Sequence, residues 1–270
     1  MSRNPIMIEK DQLHSMYWNQ KMNQCQIADE LGCSRYTIIR RMSKYGIRKR
    51  SHDKRNRRYS INQDFFKIWS HDMAYILGII ASDGYVGYYR NKFHFSICSD
   101  DKKLLCDIKK AMQSDHNVKK YRNRNSYRLN ICGAEMAKDL INIGITPRKT
   151  RTLKFPEVPD EFLCSFVRGY FDGDGCVHLR KESNSIRVAI CSASIEFISQ
   201  LMLLLREHEL KVNLRKETKF GVVYNIVRID KKSEVKKFYG FIYRHNKICL
   251  ERKKVVFDNF FVGEERNETK

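Results

Sequence analysis

No two of the nine cysteines, at positions 25, 33, 98, 106, 132, 164, 176, 191 and 249, stand in a C-x-x-C pair, and their number is odd. That pattern gives poor support to a disulfide framework or a zinc ribbon. Several lie in apolar runs, Cys98 in HFSICS and Cys191 in VAICS, where a reduced cysteine packs as a small hydrophobe. The eight histidines show no H-x-x-x-H spacing or paired cluster, so a histidine-bound metal nuclease or protease has little to stand on. No run of about 18 apolar residues occurs. The N-terminus MSRNPIMIEKDQ also lacks the apolar block of a secretory signal, and the expectation is a soluble intracellular protein. The largest deficit is in acid: 31 Asp and Glu face 52 Lys and Arg, a formal net charge of +21.

A chain of 270 residues with an apolar share of 42% has room for a real core in one large or two modest domains. A positive surplus of this size calls for a polyanionic partner. Basic residues interleave with 14 Tyr and 15 Phe along the whole chain, as in Tyr88-Tyr89-Arg90 and Lys119-Lys120-Tyr121-Arg122. This suits a folded groove better than a tail, and a membrane-binding helix would gather its charge in one stripe. Nucleic acid is the favoured partner, with no membrane association expected.

From Asp11 to Tyr45 the apolar residues Leu13, Met16, Tyr17, Ile27, Leu31, Ile38, Ile39 and Met42 recur at helical spacing, interrupted near Asn23 and at Gly32. Three short helices fit. Gly32 supplies a turn and Ser34 the N-cap of the last helix, whose face carries Arg35, Tyr36, Thr37, Arg40, Arg41 and Lys44. The segment resembles a helix-turn-helix domain, in which the second helix of the motif enters the major groove. Residues 1–50 are assigned to it, and 51–63, rich in Lys and Arg, to a linker.

The remainder contains an internal repeat. Residues 74–86, AYILGIIASDGYV, align without gaps with residues 165–177, SFVRGYFDGDGCV. Phe95-Ser96-Ile97-Cys98-Ser99 likewise matches Val188-Ala189-Ile190-Cys191-Ser192. Each half reads helix, two strands, helix, two strands, helix. The alternation of Phe93, Phe95 and Ile97 with Lys92, His94 and Ser96 implies a sheet with one wet face. The fold class expected is α+β: a duplicated αββαββα domain with pseudo-two-fold symmetry, preceded by a small all-α domain. The first repeat spans 64–152, the second 153–262, and a polar tail 263–270.

Small residues fall four apart in both repeated helices, Gly78 with Ser82 and Gly169 with Gly173, so the two helices can pack closely. Side by side in parallel, they bring Asp83 and Asp174 together at their C-terminal ends, each before a glycine, Gly84 or Gly175, suited to the left-handed conformation. Two carboxylates at the negative ends of helix dipoles repel each other and their helices, so stability alone would not select them. A divalent cation cures both faults. Hard oxygen ligands suit Mg²⁺, and metals roughly 4 Å apart can polarise a phosphodiester and activate water. Asp83, Asp174, Gly84 and Gly175 are therefore the candidate metal positions, with Asp172 secondary because Ala81 is its counterpart.

ILGIIASDG (76–84) and VRGYFDGDG (167–175) resemble the paired motifs of the LAGLIDADG homing endonucleases, and the likeness extends over roughly residues 64–262 through the repeat order. Ala81 and Ser82 depart from the pattern in the first copy, and Arg168 stands where the second copy prefers a small residue. The resemblance implies a monomer whose two sheets straddle double-stranded DNA at a long asymmetric site. It implies magnesium-dependent hydrolysis of both strands with short 3′ overhangs, and intron homing. It carries the metal-binding acids over to Asp83 and Asp174. It also implies a basic residue near the metals, for which Lys231 and Lys232 are the candidates, with Lys149 or Lys253 as alternatives.

Candidates for the DNA surface are Arg90, Lys92, Lys119, Lys120, Arg122, Arg124 and Arg128 in the first half, and Arg180, Lys181, Arg187, Arg215, Lys216 and Lys219 in the second. The competing readings are a DNA-binding transcriptional regulator on an endonuclease-derived scaffold and an intron RNA maturase. The starting Met and the lack of a terminal His-Asn before a nucleophile argue against an intein.

Overall fold

A computed structural model describes residues 8–20, 22–48, 59–89, 92–180, 184–219 and 222–268. The chain divides into two compact units, residues 1–58 and 59–270. Most of the expected linker, together with Arg90 and Lys181, lies outside the described residues, as do the side chains of Lys92 and Lys219.

In the smaller unit α1 (Lys10–His14) runs into a π-helical turn, Ser15–Asn19, and is followed by α2 (Gln24–Glu30) and α3 (Arg35–Lys44). Asn23 starts α2 with a reciprocal cap: its side chain accepts from the amides of Cys25 and Gln26, and Gln26 Oε1 accepts from the Asn23 amide. Gly32 turns the chain at φ +59° and Ser34 Oγ accepts from the Thr37 amide at 3.1 Å. Leu13, Ile27, Ile38 and Met42 close the core.

The larger unit holds α4 (His71–Asp83), β1 (Gly84–Tyr89), β2 (Lys92–Ser99), α5 (Lys102–Ala111), β3 (Val118–Lys120), β4 (Tyr127–Ile131) and α6 (Ala134–Asn142). The second half repeats this order with α7 (Asp160–Asp174), β5 (Gly175–Arg180), β6 (Ser185–Ser192), α8 (Ile195–Glu207), β7 (Asn213–Lys219), β8 (Val222–Ile229) and α9 (Lys232–Tyr243), followed by α10 (Glu251–Glu268). Each half builds one antiparallel four-stranded sheet, in the orders β1-β2-β4-β3 and β5-β6-β8-β7. The fold class is α+β, with the αββαββα unit present twice.

Register explains the wet faces. Phe95 pairs with Ile131 and Val188 with Ile229, all fully buried against helices, so the intervening residues face away from the core. Lys119 and Arg128 share that outer face in the first sheet, and Arg180, Arg187 and Arg215 in the second. Lys120 and Lys216 do not: they pair with Tyr127 and Asn225, one position out of step, and sit on the helix side at the sheet margins. Arg122 and Arg124 fall in the loop between β3 and β4 rather than on a strand.

A further expectation is corrected. Gly84 and Gly175 are extended, at φ −86° and −96°, because each helix passes straight into a strand. Glycine is needed there for space: a Cβ would stand 2.5 Å from Ile80 O at Gly84 and 2.5 Å from Phe171 O at Gly175. Within the polar tail the α10 backbone continues to Glu268. Nothing in 263–268 breaks a helix except Gly263, which costs only about 1 kcal/mol.

The core centres on α4 and α7, buried on nearly all sides. A Cβ at Gly78 would lie 2.2 Å from Phe166 O, and one at Gly169 would lie 2.0 Å from Tyr75 O, so backbone meets backbone with no room for a methyl group. Gly169→Ala is expected to cost about 1–3 kcal/mol through forced separation of the helices, lowering the Tm by roughly 3–10 °C. Calorimetry showing an unchanged Tm would contradict this close packing.

Candidate functional site

The helix seam ends in two carboxylates. A Cβ on Gly173 would fall 1.9 Å from Ser82 Oγ and 3.1 Å from Asp83 Oδ2, which places the Asp83 carboxylate against the last turn of α7, beside Asp174. Both aspartates reach solvent at the surface, yet protein crowds them. Burial, then the charge of Asp83, pushes Asp174 up to about 6; Lys149, the Tyr170 hydroxyl and Lys253 pull the other way. Burial also raises Asp83, against the charges of Lys253 and Lys149. A cleft of about 190 Å³ opens beside Asp83, walled by Asp100, Gly173 and Arg252 among others.

Two buried lysines close the helix ends. Lys253 Nζ donates to Phe171 O at 2.7 Å, Asp172 O at 2.7 Å and Gly175 O at 2.5 Å, gathering carbonyls from the end of α7 and the start of β5. Lys149 Nζ donates to Ser82 O at 3.2 Å on α4. Burial depresses both, Lys253 to about 8. Each follows the last helix of its half, one after α6 and the other at the start of α10, so the pair matches the internal symmetry. The cations that bear most on the aspartates are therefore Lys149 and Lys253. Lys231 only precedes α9, and the Lys232 ammonium lies 5.9 Å from the Phe260 ring centre.

The other polar residues of the second motif are held in the core. Asp172 is buried: its Oδ2 accepts from the Tyr75 hydroxyl and from the Leu250 amide, both at 2.8 Å. The fully buried Arg168 donates to Ile248 O at 3.1 Å and Ile242 O at 2.7 Å, and its guanidinium lies 5.1 Å from the Tyr75 ring centre. It ties α7 to the end of α9 without prising the central helices apart. Gly175 is corrected as a metal position, because its carbonyl faces the Lys253 ammonium, which repels a cation. Gly84 acts as a joint, its amide donating to Ile80 O.

Elsewhere, Arg128 Nη2 donates to Ser96 Oγ at 3.0 Å on the first sheet's outer face, and Arg187 contacts Asp230 on the second. On α3, Arg35, Tyr36, Arg40 and Lys44 are exposed and Arg41 is half-buried, whereas Thr37 Oγ1 is shared with Ser34 Oγ at 2.9 Å. None of the nine cysteines forms a disulfide.

Residues 161–243 match a family model described as a LAGLIDADG-like domain, and residues 72–151 match the WhiA LAGLIDADG-like domain. The chain belongs to the LAGLIDADG family. This two-motif LAGLIDADG protein is 28% identical over 146 residues to a probable translation initiation factor IF-2 of Methanocaldococcus jannaschii. It is 29% identical over 141 residues to the DNA-directed RNA polymerase subunit Rpo1C of the same organism. Each alignment takes in 50% of this chain but only 11% and 16% of those relatives. Among solved structures it is similar to I-DmoI in complex with DNA and Mn, at 13% identity and a TM-score of 0.49, covering 65% of this chain and 98% of that one. It is also similar to the I-LtrWI LAGLIDADG homing endonuclease bound to target DNA, at 10% identity and a TM-score of 0.46, covering 77% and 92%.

The donor set of the LAGLIDADG seam fits a hard divalent cation. Its side-chain donors are carboxylate oxygens, and their mutual repulsion falls when positive charge arrives. Among the described residues no group of three or more His, Cys, Asp or Glu could hold a metal ion.

An Asp174 that titrates near 6 when folded and near 3.9 when unfolded binds more protons folded, so this group costs stability above pH 6 and the cost disappears as pH falls towards 4. Without divalent cations, Asp174→Asn is expected to raise the Tm at pH 7. Solvent screening limits the gain to roughly 1 kcal/mol, or about 2–4 °C. The difference from wild type should close near pH 4; a variant less stable than wild type at pH 7 would refute the electrostatic cost.

Proposed function

We propose that this protein is a site-specific endonuclease acting on double-stranded DNA. The observation that carries this reading is the convergence of Asp83 and Asp174 at the end of the helix seam, at a cost to stability, with Lys149 and Lys253 beside them. The net charge of +21 and the basic outer faces of both sheets support a DNA partner.

Asp83 and Asp174 would hold divalent cations, Mg²⁺ first among them, which when bound supply Lewis acidity and a deprotonated water. The chain's own residues do the rest. The seam presents both carboxylates from rigid backbones. Lys149 and Lys253, held as hydrogen-bond donors by backbone carbonyls, keep positive charge where a scissile phosphate becomes more negative. The two pseudo-symmetric halves suit a monomer cutting both strands. The smaller unit adds DNA contacts through the exposed face of α3.

A second reading, a DNA-binding regulator on the same scaffold, draws support from the match of residues 72–151 to the WhiA domain. It also draws on the lysines, which compensate the carboxylates without a cation. Cleavage decides between the two readings.

With Mg²⁺, the protein should linearise plasmids carrying sites selected from a randomised duplex library. Asp83→Asn and Asp174→Asn should each lower the rate on the order of 10³-fold with binding retained. Cutting by either variant at the wild-type rate would remove the seam from the mechanism. Wild-type affinity should fall about 10³- to 10⁵-fold between 50 and 200 mM salt if 6–10 phosphates are contacted. Removal of residues 1–58 should weaken binding while leaving cleavage at saturating protein; a folded truncation that binds equally well would deny the smaller unit a role in DNA contact.

A further inference from the structure

The outer faces of the two sheets differ most at one matched position. In the second sheet Arg187 on β6 and Arg228 on β8 flank Asp230, the first residue after β8. Asp230 Oδ1 lies 2.5 Å from Arg187 Nε and 2.9 Å from Arg228 Nη2, so one carboxylate oxygen holds both guanidiniums. Register puts all three on the outer face: Val188 pairs with Ile229, which sets Arg187 opposite Asp230, and Arg228 pairs with Ala189, whose small side chain leaves room above the strand. Their side chains are 27%, 16% and 31% exposed, neither sealed in nor free to sweep through solvent. Arg228 Nη1 lies 4.0 Å from Glu217 Oε1, a second acid that limits its swing.

The first sheet has nothing equivalent. Phe95 and Ile131 occupy the register of Val188 and Ile229, so His94, Cys132 and Asn130 stand where Arg187, Asp230 and Arg228 stand in the second. His94 is buried with the Tyr85 ring 5.5 Å away, and Asn130 and Cys132 are exposed.

A carboxylate between two arginines is a poor phosphate site, since it repels the anion and cancels part of the attraction. It is a good way to present guanidinium edges to neutral acceptors. Ion-paired with Asp230 on its Nε side, Arg187 keeps its two terminal nitrogens side by side, the fork that fits O6 and N7 of guanine in the major groove. Resting on the DNA-binding reading above, we propose that Arg187 reads guanine in the half-site covered by the second sheet, and that Asp230, itself held by Arg228, is the positioning residue that aims it. Phosphate contact then falls to exposed cations without acid partners of this kind, such as Arg180 and Arg215. The half-site under the first sheet carries no such guanine requirement at the matched position.

The test uses the full chain and a duplex selected from a randomised library, with EDTA present to prevent cutting. Each guanine is replaced in turn by 7-deazaguanine, which lacks the N7 acceptor, and affinity is measured by fluorescence anisotropy. Wild type should lose roughly 5- to 150-fold at one or two guanines confined to one half-site. Arg187→Ala should show no further loss at those same guanines. Asp230→Asn should flatten the preference for guanine over other bases while affinity for unrelated DNA holds, and Asp230→Glu should restore part of the preference. Indifference of wild type to every 7-deazaguanine overturns the proposal, and needs no variant to fold. So does an Asp230→Asn protein that binds all sequences more weakly in equal measure. A protein that selects and cuts a site yet ignores N7 refutes only this inference, whereas one that selects no sequence refutes the nuclease reading with it.

Discussion

Backbone contact between α4 and α7 is the constraint from which the rest of the larger unit follows. Gly78 and Gly169 lie against the opposing helix backbone, and Gly173 lies against Ser82, so the helices meet at their main chains rather than through interleaved side chains. Such an interface is narrow and unforgiving. Narrowness is what allows two aspartates on separate helices to share one surface, and wider spacing would give each its own solvent and no coupling. Both helices then pass directly into the first strand of a sheet, so the seam also fixes where the two sheets begin.

That arrangement concentrates negative charge and open carbonyls at one end of the core, and the chain answers from segments distant in sequence. Lys149 and Lys253 reach back to donate to the exposed carbonyls of α4 and α7, each paying a desolvation cost visible in its depressed pKa. A lysine buried against backbone oxygens stabilises a helix end, while its charge lies where a phosphate and cations would gather. On the nuclease reading proposed above, structural and chemical roles coincide in the same ammonium groups. Asp172 and Arg168, by contrast, are absorbed by the core: one by Tyr75 and the Leu250 amide, the other by the carbonyls of Ile242 and Ile248.

Duplication sets the frame, and divergence fills it unequally. The hairpin of β3 and β4 is short, with Arg122 and Arg124 in its loop, while β7 and β8 are long and carry the outward acids Glu217 and, just past the strand, Asp230. The two outer faces therefore differ in both shape and charge pattern.

Much of this was legible in the chain itself. The matched 74–86 and 165–177 segments, the alternation around Phe95, the caps at Asn23 and Ser34 and the small residues four apart are local, and local patterns dictate helices, strands and the duplicated α+β order. Membership of the LAGLIDADG family rests on the same repeated segments. What the sequence could not decide depends on contacts between distant residues. Lys149 and Lys253, rather than Lys231 and Lys232, approach the carboxylates because the segments after α6 and α9 fold back over the helix ends, and no spacing rule encodes that return. Gly84 and Gly175 proved extended because what they avoid is a collision with their own helix, visible only once helix and strand are joined. The faces of Lys120 and Lys216 turned on register, where a single step moves a side chain to the other side of the sheet. Composition and periodicity determined the parts and their order, whereas tertiary packing chose which charges meet, because Coulomb and desolvation energies depend on distances that only the folded chain sets.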